Sequence, residues 1–243
     1  MRSALYKKVM METLLKEGFD ALGLVMPENS TKRFGTYYEF LSERAKVMNL
    51  TAISGEIDTA NLHFLDSAAL FSVVDLAGRS VIDVGSGAGF PGIPLKIISP
   101  AIDLTLIDSQ KKRVDFLEEL CSKLEISDVK CLWARAEEAP KHLRESFDVA
   151  VSRAVARLRV LCELCIPFVR TGGMFLAMKG SDPSEEIDEA QRAIAALGGK
   201  LQSVFEYMIP GTDICHTAVV IEKVSETPDI YPRRYAKIQK SPL

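Results

Sequence analysis

Apolar residues follow two different rhythms along this chain. Up to about residue 76 they recur at steps of three and four. Phe34, Tyr37, Leu41, Ala45 and Met48 share one helix face, and Leu62, Leu65, Ala69, Val73 and Leu76 share another. The spacing predicts one helix after the capping stretch Asn29-Ser30-Thr31 and a further helix over 58–76. From Ser80 onward, short apolar runs alternate with helical stretches. Strands are predicted at 81–84, 103–108, 129–134, 147–151 and 174–178, and helices over 110–124 and 156–170, with Pro167 kinking or ending the second. Asp182-Pro183-Ser184-Glu185 reads as a capped helix start, and Gly198 ends that helix. The last strands, about 201–209 and 217–224, flank Pro210-Gly211-Thr212-Asp213, a turn short enough to require an antiparallel hairpin. The chain divides into a helical extension (1–76), an α/β core (77–226) and a basic C-terminal tail (227–243).

Composition narrows the class. Of 243 residues 47% are hydrophobic, enough for a packed core, and no apolar stretch is long enough to span a bilayer. The N-terminus has no long apolar segment of the signal-peptide kind, so a cytoplasmic protein is expected. Cys121, Cys131, Cys162, Cys165 and Cys215 are odd in number and scattered, which implies no disulfide framework. Cys162-x-x-Cys165 has no second pair to complete a zinc site and reads as core of one helix. His63, His142 and His216 stand apart in sequence, so no metal centre or triad is expected. A net charge of −3 means that contact with nucleic acid needs a local basic patch, or a ribonucleoprotein that supplies other contacts.

The strand at 81–84 does not alternate, as expected for a strand covered on both faces. It breaks into Gly85-Ser86-Gly87-Ala88-Gly89-Phe90-Pro91, and Pro91 suits a first helical turn. Strand, glycine turn and helix open a nucleotide-binding unit. Gly85-x-Gly87-x-Gly89 fits the loop of methyltransferases that use S-adenosylmethionine. Gly87-x-Gly89-x-x-Gly92 fits the dinucleotide fingerprint formally. The second match starts late, and it puts a proline where a pyrophosphate needs a free N–H. Asp83, at the strand's end, would attract the ammonium of a methionine moiety and repel a diphosphate. Asp108 stands about 20 residues past the turn, where an acid accepts both ribose hydroxyls; it can equally cap the next helix, in competition with Ser109.

Other candidates lie at the carboxyl ends of the predicted strands. Arg135-Ala136-Glu137 follows the third strand, where Ala136 is small enough to lie against an adenine ring and Glu137 can also favour a helix start. Arg153 ends the fourth strand, as a site residue or a surface charge. Lys111, Lys112 and Arg113 open a helix and offer either a solvated face or phosphate contacts. Lys179 ends the fifth strand. Arg233 and Arg234 lie among tyrosines in the basic tail, which suits RNA contact or a solvated end. The parallel sheet closed by an antiparallel strand is the arrangement of class I S-adenosylmethionine-dependent (Rossmann-like) methyltransferases, and differs from the all-parallel dinucleotide fold.

Asn49-Leu-Thr-Ala-Ile53, His63-Phe-Leu-Asp-Ser67, the 83–92 turn, Arg135-Ala-Glu137, Ser152-Arg-Ala-Val155 and Tyr231-Pro-Arg233 occur in this order. Together they resemble the bacterial ribosomal RNA small subunit methyltransferase G family, also called glucose-inhibited division protein B, over nearly the whole chain. The resemblance implies methyl transfer from S-adenosyl-L-methionine to N7 of a guanine in 16S ribosomal RNA, in a small subunit or an assembly intermediate. It implies cofactor contacts at Gly85, Phe90, Ala136, Glu137 and Arg153, to which the residue-level reading adds Asp83, Gly87 and Asp108. After Tyr231-Pro-Arg233 the chain departs from the family's expected Gly-x-Pro segment. No catalytic residue is assigned. The rival readings are a nicotinamide-dependent oxidoreductase and a non-catalytic ribosome assembly factor.

Overall fold

The computed structural model describes residues 2–153 and 156–243, with side chains from Met10 onward. Ala154 and Val155 of the motif after β4 lie outside the described residues. Helices α1 (Arg2–Ala21) and α2 (Ser30–Ala45) open the chain. α2 buries Phe34, Tyr37 and Leu41, as their spacing predicts, together with Phe40. The next helix is broken, where an unbroken run over 58–76 was expected. It consists of α3 (Glu56–Thr59), a π turn (Ala60–Leu65), α4 (Asp66–Ala68) and a 3₁₀ turn (Ala69–Ser72). A π turn takes in extra backbone and rotates the face that follows. Five polar residues, Thr59, Asn61, His63, Asp66 and Ser67, are buried along this segment.

Strand and helix then alternate as β1 (Ser80–Val84), α5 (Gly92–Ile98), β2 (Asp103–Asp108), α6 (Lys111–Lys123), β3 (Val129–Trp133) and β4 (Phe147–Arg153). They continue as α7 (Leu158–Cys165), β5 (Val169–Lys179), α8 (Ser184–Ala196), β6 (Gly199–Met208), β7 (Cys215–Lys223) and α9 (Tyr235–Lys240). The strands form one seven-stranded sheet in the order β3-β2-β1-β4-β5-β7-β6. β3, β2, β1, β4 and β5 run parallel, while β7 pairs antiparallel with both β5 and β6. Strand order reverses between β1 and β4, so a crevice opens beyond their carboxyl ends. α7 is shorter than expected: a 3₁₀ turn holding Pro167 (Ile166–Phe168) ends it, and β5 begins before Gly172-Gly173.

Each face of the sheet has its own core. On one face α5 and α6 share a single cluster with the N-terminal helices, where Tyr37 and Phe64 pack with Phe90, Ile93 and Leu117. On the other, α7, α8 and α9 cover Ile82, Ala150, Phe175 and Val219. The segment after 227 packs back onto this second face. Ile238 of α9 is fully buried, worth about 2 kcal/mol of apolar burial. Arg233 forms an ion pair of 2.6 Å with Glu163, a fully buried carboxylate on α7.

Candidate active site

The glycine turn lies at the carboxyl end of β1. Gly85, Gly87 and Gly89 adopt φ of 77°, 58° and 99°, a region closed to most side chains. The N–H groups of Gly85 and Ser86 donate to the Ile107 carbonyl at 2.9 and 3.2 Å, which ties the turn to β2. The Gly87 N–H donates to Asp108 Oδ2 at 3.0 Å. Next comes Phe90, joined to Pro91 by a cis peptide bond, and α5 starts at Gly92, one residue past the proline.

Asp83 is fully buried beneath this turn. Its Oδ2 accepts the Gly92 N–H at 2.9 Å, and a Cβ on residue 92 would lie 2.8 Å from that oxygen. Its Oδ1 has no hydrogen-bond partner among the described residues. Burial pushes the carboxyl up to about 7, against the pull of the Gly92 N–H and Arg153. A buried carboxylate oxygen left unmatched is costly unless a cation or donor meets it, so the residues present fit the ammonium of a methionine moiety. Asp108 fits the ribose. Its second oxygen accepts the Gln110 N–H at 2.8 Å, Arg113 lies 3.5 Å away, and each carboxylate oxygen keeps a further lone pair for a hydroxyl. Asp108 is not the cap of α6; Gln110 holds that position.

Along the same edge a 3₁₀ turn (Ala136–Glu138) carries Ala136 and the largely buried Glu137 side chain, which is 3.9 Å from Arg135. Ser152 of β4 donates to the Val84 carbonyl at 2.8 Å, fixing the two strand ends that bound the crevice.

Arg153 is the centre of a polar cluster. Its guanidinium lies 4.9 Å over the Phe90 ring and donates to the Leu62 carbonyl and Asp66 Oδ2, both at 3.0 Å. A further N–H reaches His63 Nδ1 at 2.7 Å. Arginine can only donate, so Nδ1 accepts and Nε2 carries the proton, which points to Thr51 Oγ1 at 2.8 Å. Burial and the adjacent Arg153 hold His63 down at about 3, hence neutral. Asp66 Oδ1 accepts the Tyr207 hydroxyl and His216 Nδ1, each at 2.9 Å. Burial opposes the charge of Asp66, but the His216 hydrogen bond, Arg153 and Tyr207 together keep the carboxyl below its ordinary value. Phe90 stacks with His63 at 4.2 Å and with Tyr37 at 5.1 Å.

Sequence reasoning assigned no role to Asp66, His63, Tyr207 or His216. His63 and His216, separate in sequence, meet through Asp66 and Arg153. The available signal was His63-Phe-Leu-Asp-Ser67, which sets two chemically active side chains into an apolar helix.

The basic candidates separate into two groups. Lys112 is exposed, Lys111 is exposed and pairs with Asp115 at 2.5 Å, and Arg234 is exposed. Arg113 faces Asp108. Lys179 is held inside the fold by Glu186 at 2.7 Å and the Ala156 carbonyl at 2.9 Å. Arg233 is likewise taken up within the chain, by the buried Glu163 and by the Ser241 carbonyl at the surface. Cys162 and Cys165 are buried in α7, and no metal-binding group of His, Cys, Asp or Glu occurs among the described residues.

A family model described as rRNA small subunit methyltransferase G matches residues 30–214. The Ribosomal RNA small subunit methyltransferase G of Pelotomaculum thermopropionicum is 45% identical over 239 residues, covering 97% of this chain and 99% of that protein. The protein of the same name from Clostridium perfringens (strain 13) is 41% identical over 233 residues, covering 95% and 98%. Among solved structures, a SAM dependent methyltransferase from Aquifex aeolicus aligns with a TM-score of 0.52 at 19% identity, over 68% of this chain and 92% of that one. P. horikoshii TYW2 in complex with MeSAdo aligns with a TM-score of 0.53 at 12% identity, over 65% and 61%. At such identities the solved structures speak for the fold.

Proposed function

The chain belongs to the ribosomal RNA small subunit methyltransferase G family, and from that premise we propose that it moves a methyl group from S-adenosylmethionine to N7 of a guanine in 16S ribosomal RNA. The observation that carries the reading is the buried oxygen of Asp83 at the end of β1, without a partner among the described residues, under a turn with no Cβ at Gly85 or Gly87. It suits a cationic nucleoside and would repel a diphosphate.

Asp83 would hold the ammonium of the methionine moiety and Asp108 the ribose hydroxyls. Ala136 and Glu137 would flank the adenine, and Gly85, Gly87 and Phe90 form the floor. Arg153 fixes Phe90 from above. When bound, that group supplies a methyl carbon made electrophilic by a positively charged sulfur. Guanine N7 has a free lone pair and no proton, so this chain needs no general base. His63 is engaged by Arg153 and Thr51, and both oxygens of Asp66 accept hydrogen bonds. The contribution of the chain is alignment of the two reactants, which alone can be worth about 7–11 kcal/mol of barrier.

Lys111, Lys112, Arg113 and Arg234 supply phosphate contacts, while Lys179 and Arg233 hold the fold. With a net charge of −3, such a patch is supplemented by other contacts of a small subunit or an assembly intermediate. No described helix is long and apolar enough to cross a membrane, and work on that substrate implies the cytoplasm. The test is incorporation of labelled methyl into unmodified small subunits and naked 16S RNA. Label at a guanine N7 is expected, as is a rise in melting temperature with S-adenosylmethionine. No incorporation, or stabilisation by a nicotinamide cofactor instead, would overturn the reading.

A further inference from the structure

We propose that Trp133 is a stacking platform for an unpaired base of single-stranded RNA, flanked by cations that take the neighbouring phosphates. The inference rests on the RNA reading above and adds a contact outside the cofactor site. Trp133 is the chain's only tryptophan and ends β3 with 59% of its surface exposed. An indole this open belongs to neither core cluster. Its orientation is nonetheless fixed, because Nε1 donates to the Ser109 carbonyl at 3.1 Å. A ring already held loses little freedom when a base stacks on it.

Its position is what links it to RNA. Trp133 is the register partner of Asp108 in the parallel β2–β3 pair, so it stands beside the residue assigned to the ribose. Lys111 Nζ lies 5.9 Å from the indole centroid, and Lys112, next along α6, is exposed with no partner among the described residues. Two residues past Trp133, Arg135 lies 5.7 Å over the Tyr235 ring of α9. Two aromatic–cation pairs thus occupy one edge of the sheet. Every base presents a π face and every nucleotide a phosphate, so alternating rings and cations match a single strand. A protein partner would call for a wider apolar surface around the indole, and its neighbours here are charged.

The sole tryptophan makes the test direct. The full chain, saturated with S-adenosylhomocysteine to hold any cofactor effect constant, is titrated with single-stranded RNA of about 12 nucleotides. Binding is followed separately by anisotropy of labelled RNA. Quenched emission and reduced acrylamide access are expected as the RNA saturates. Trp133→Ala should weaken RNA binding about tenfold, and Trp133→Phe should restore most of it. Emission and acrylamide access unchanged at saturating RNA, wild-type affinity in Trp133→Ala, or no RNA binding by the wild-type chain would each overturn the platform. So would quenching by assembled subunits but not by RNA, which would assign the indole to a protein contact. Methyl incorporation from S-adenosylmethionine into unmodified small subunits and naked 16S RNA, by a portion of the same chain free of S-adenosylhomocysteine, separates the two readings. Methylated RNA with an unmoved indole removes only the platform, and a quenched indole without methyl transfer removes only the enzyme.

Discussion

Arg153 and Asp66, 87 positions apart in sequence, meet at 3.0 Å where the N-terminal helices join the sheet. The Asp66 side chain is 1% exposed and that of Arg153 14%. Removing one member of such a pair leaves the other charge with little water to compensate it, typically at a cost of about 3–5 kcal/mol. Asp66→Ala is therefore expected to destabilise the chain by about that amount, and Asp66→Ala with Arg153→Met by less than the sum of the single changes. Urea unfolding of the four proteins measures the coupling; additive effects would show that the pair does not act as a unit.

Two buried groups, His63 against Phe90 and Asp83 beneath the glycine turn, give opposite pH dependences. His63 titrates at about 3 in the fold, so between about 3 and 6.5 only the unfolded chain charges it, and this part of the stability grows with pH. Asp83 titrates at about 7, so its contribution is complete below about 4 and is lost as pH rises through 7. Each slope reaches at most about 1.4 kcal/mol per pH unit. Stability should be nearly level over the shared window, about pH 4–6.5, and should rise clearly with pH in Asp83→Asn. A cation bound beside Asp83 favours its ionised form. Donor binding just below pH 7 should thus release protons, seen by calorimetry in buffers of different ionisation enthalpy, and Asp83→Asn should abolish the release.

Gly87 and Gly89 separate binding from folding. A Cβ at Gly89 would lie 2.7 Å from the Tyr37 hydroxyl and 2.9 Å from Ile93, at a φ of +99°. Gly89→Ala is expected to cost roughly 2–4 kcal/mol. A Cβ at Gly87 meets only the Gly85 carbonyl oxygen, at 3.8 Å. Its left-handed conformation costs alanine about 1 kcal/mol, so Gly87→Ala should fold and lose affinity for the donor. Melting temperature and donor calorimetry on both variants check the division.

Arg233 should behave as an anchor. Glu163 is fully buried and accepts the Arg233 backbone N–H as well as its guanidinium. Arg233→Ala is expected to cost about 3 kcal/mol and to leave the salt dependence of RNA binding unchanged. A shallower salt slope in that variant would place Arg233 on the RNA.

How much could be read in advance differs by region, for physical reasons. Val81, Ile82 and Val84 leading into three glycines identify strand, turn and helix, because burial and positive φ are local requirements with local signals. The distance of Asp108 from the turn in sequence is enough to bring it against that turn, where it accepts the Gly87 N–H; its ribose role is a proposal. The Asp66 cluster was not. A period of 3.6 carries no mark of a π turn, and the partners of Asp66 come from β4, β6 and β7. The tail after 227 is basic with tyrosines, and composition alone leaves it as a solvated end or an RNA contact; Ile238 and the Arg233–Glu163 pair hold it to α7. Lys179 was placed at the ligand edge by strand order, but its partner Glu186 lies on the helix that follows.

The central claim is that the crevice beyond β1 holds the methyl donor for a guanine N7 in small-subunit RNA. The most direct measurement is borohydride and aniline cleavage of 16S RNA from cells that lack this chain, complemented by the wild-type chain or by Gly85→Asp. Cleavage at one guanine should be absent without the chain, return with the wild-type chain, and stay absent with the variant. Cleavage that persists without the chain, or returns in full with Gly85→Asp, would contradict the account.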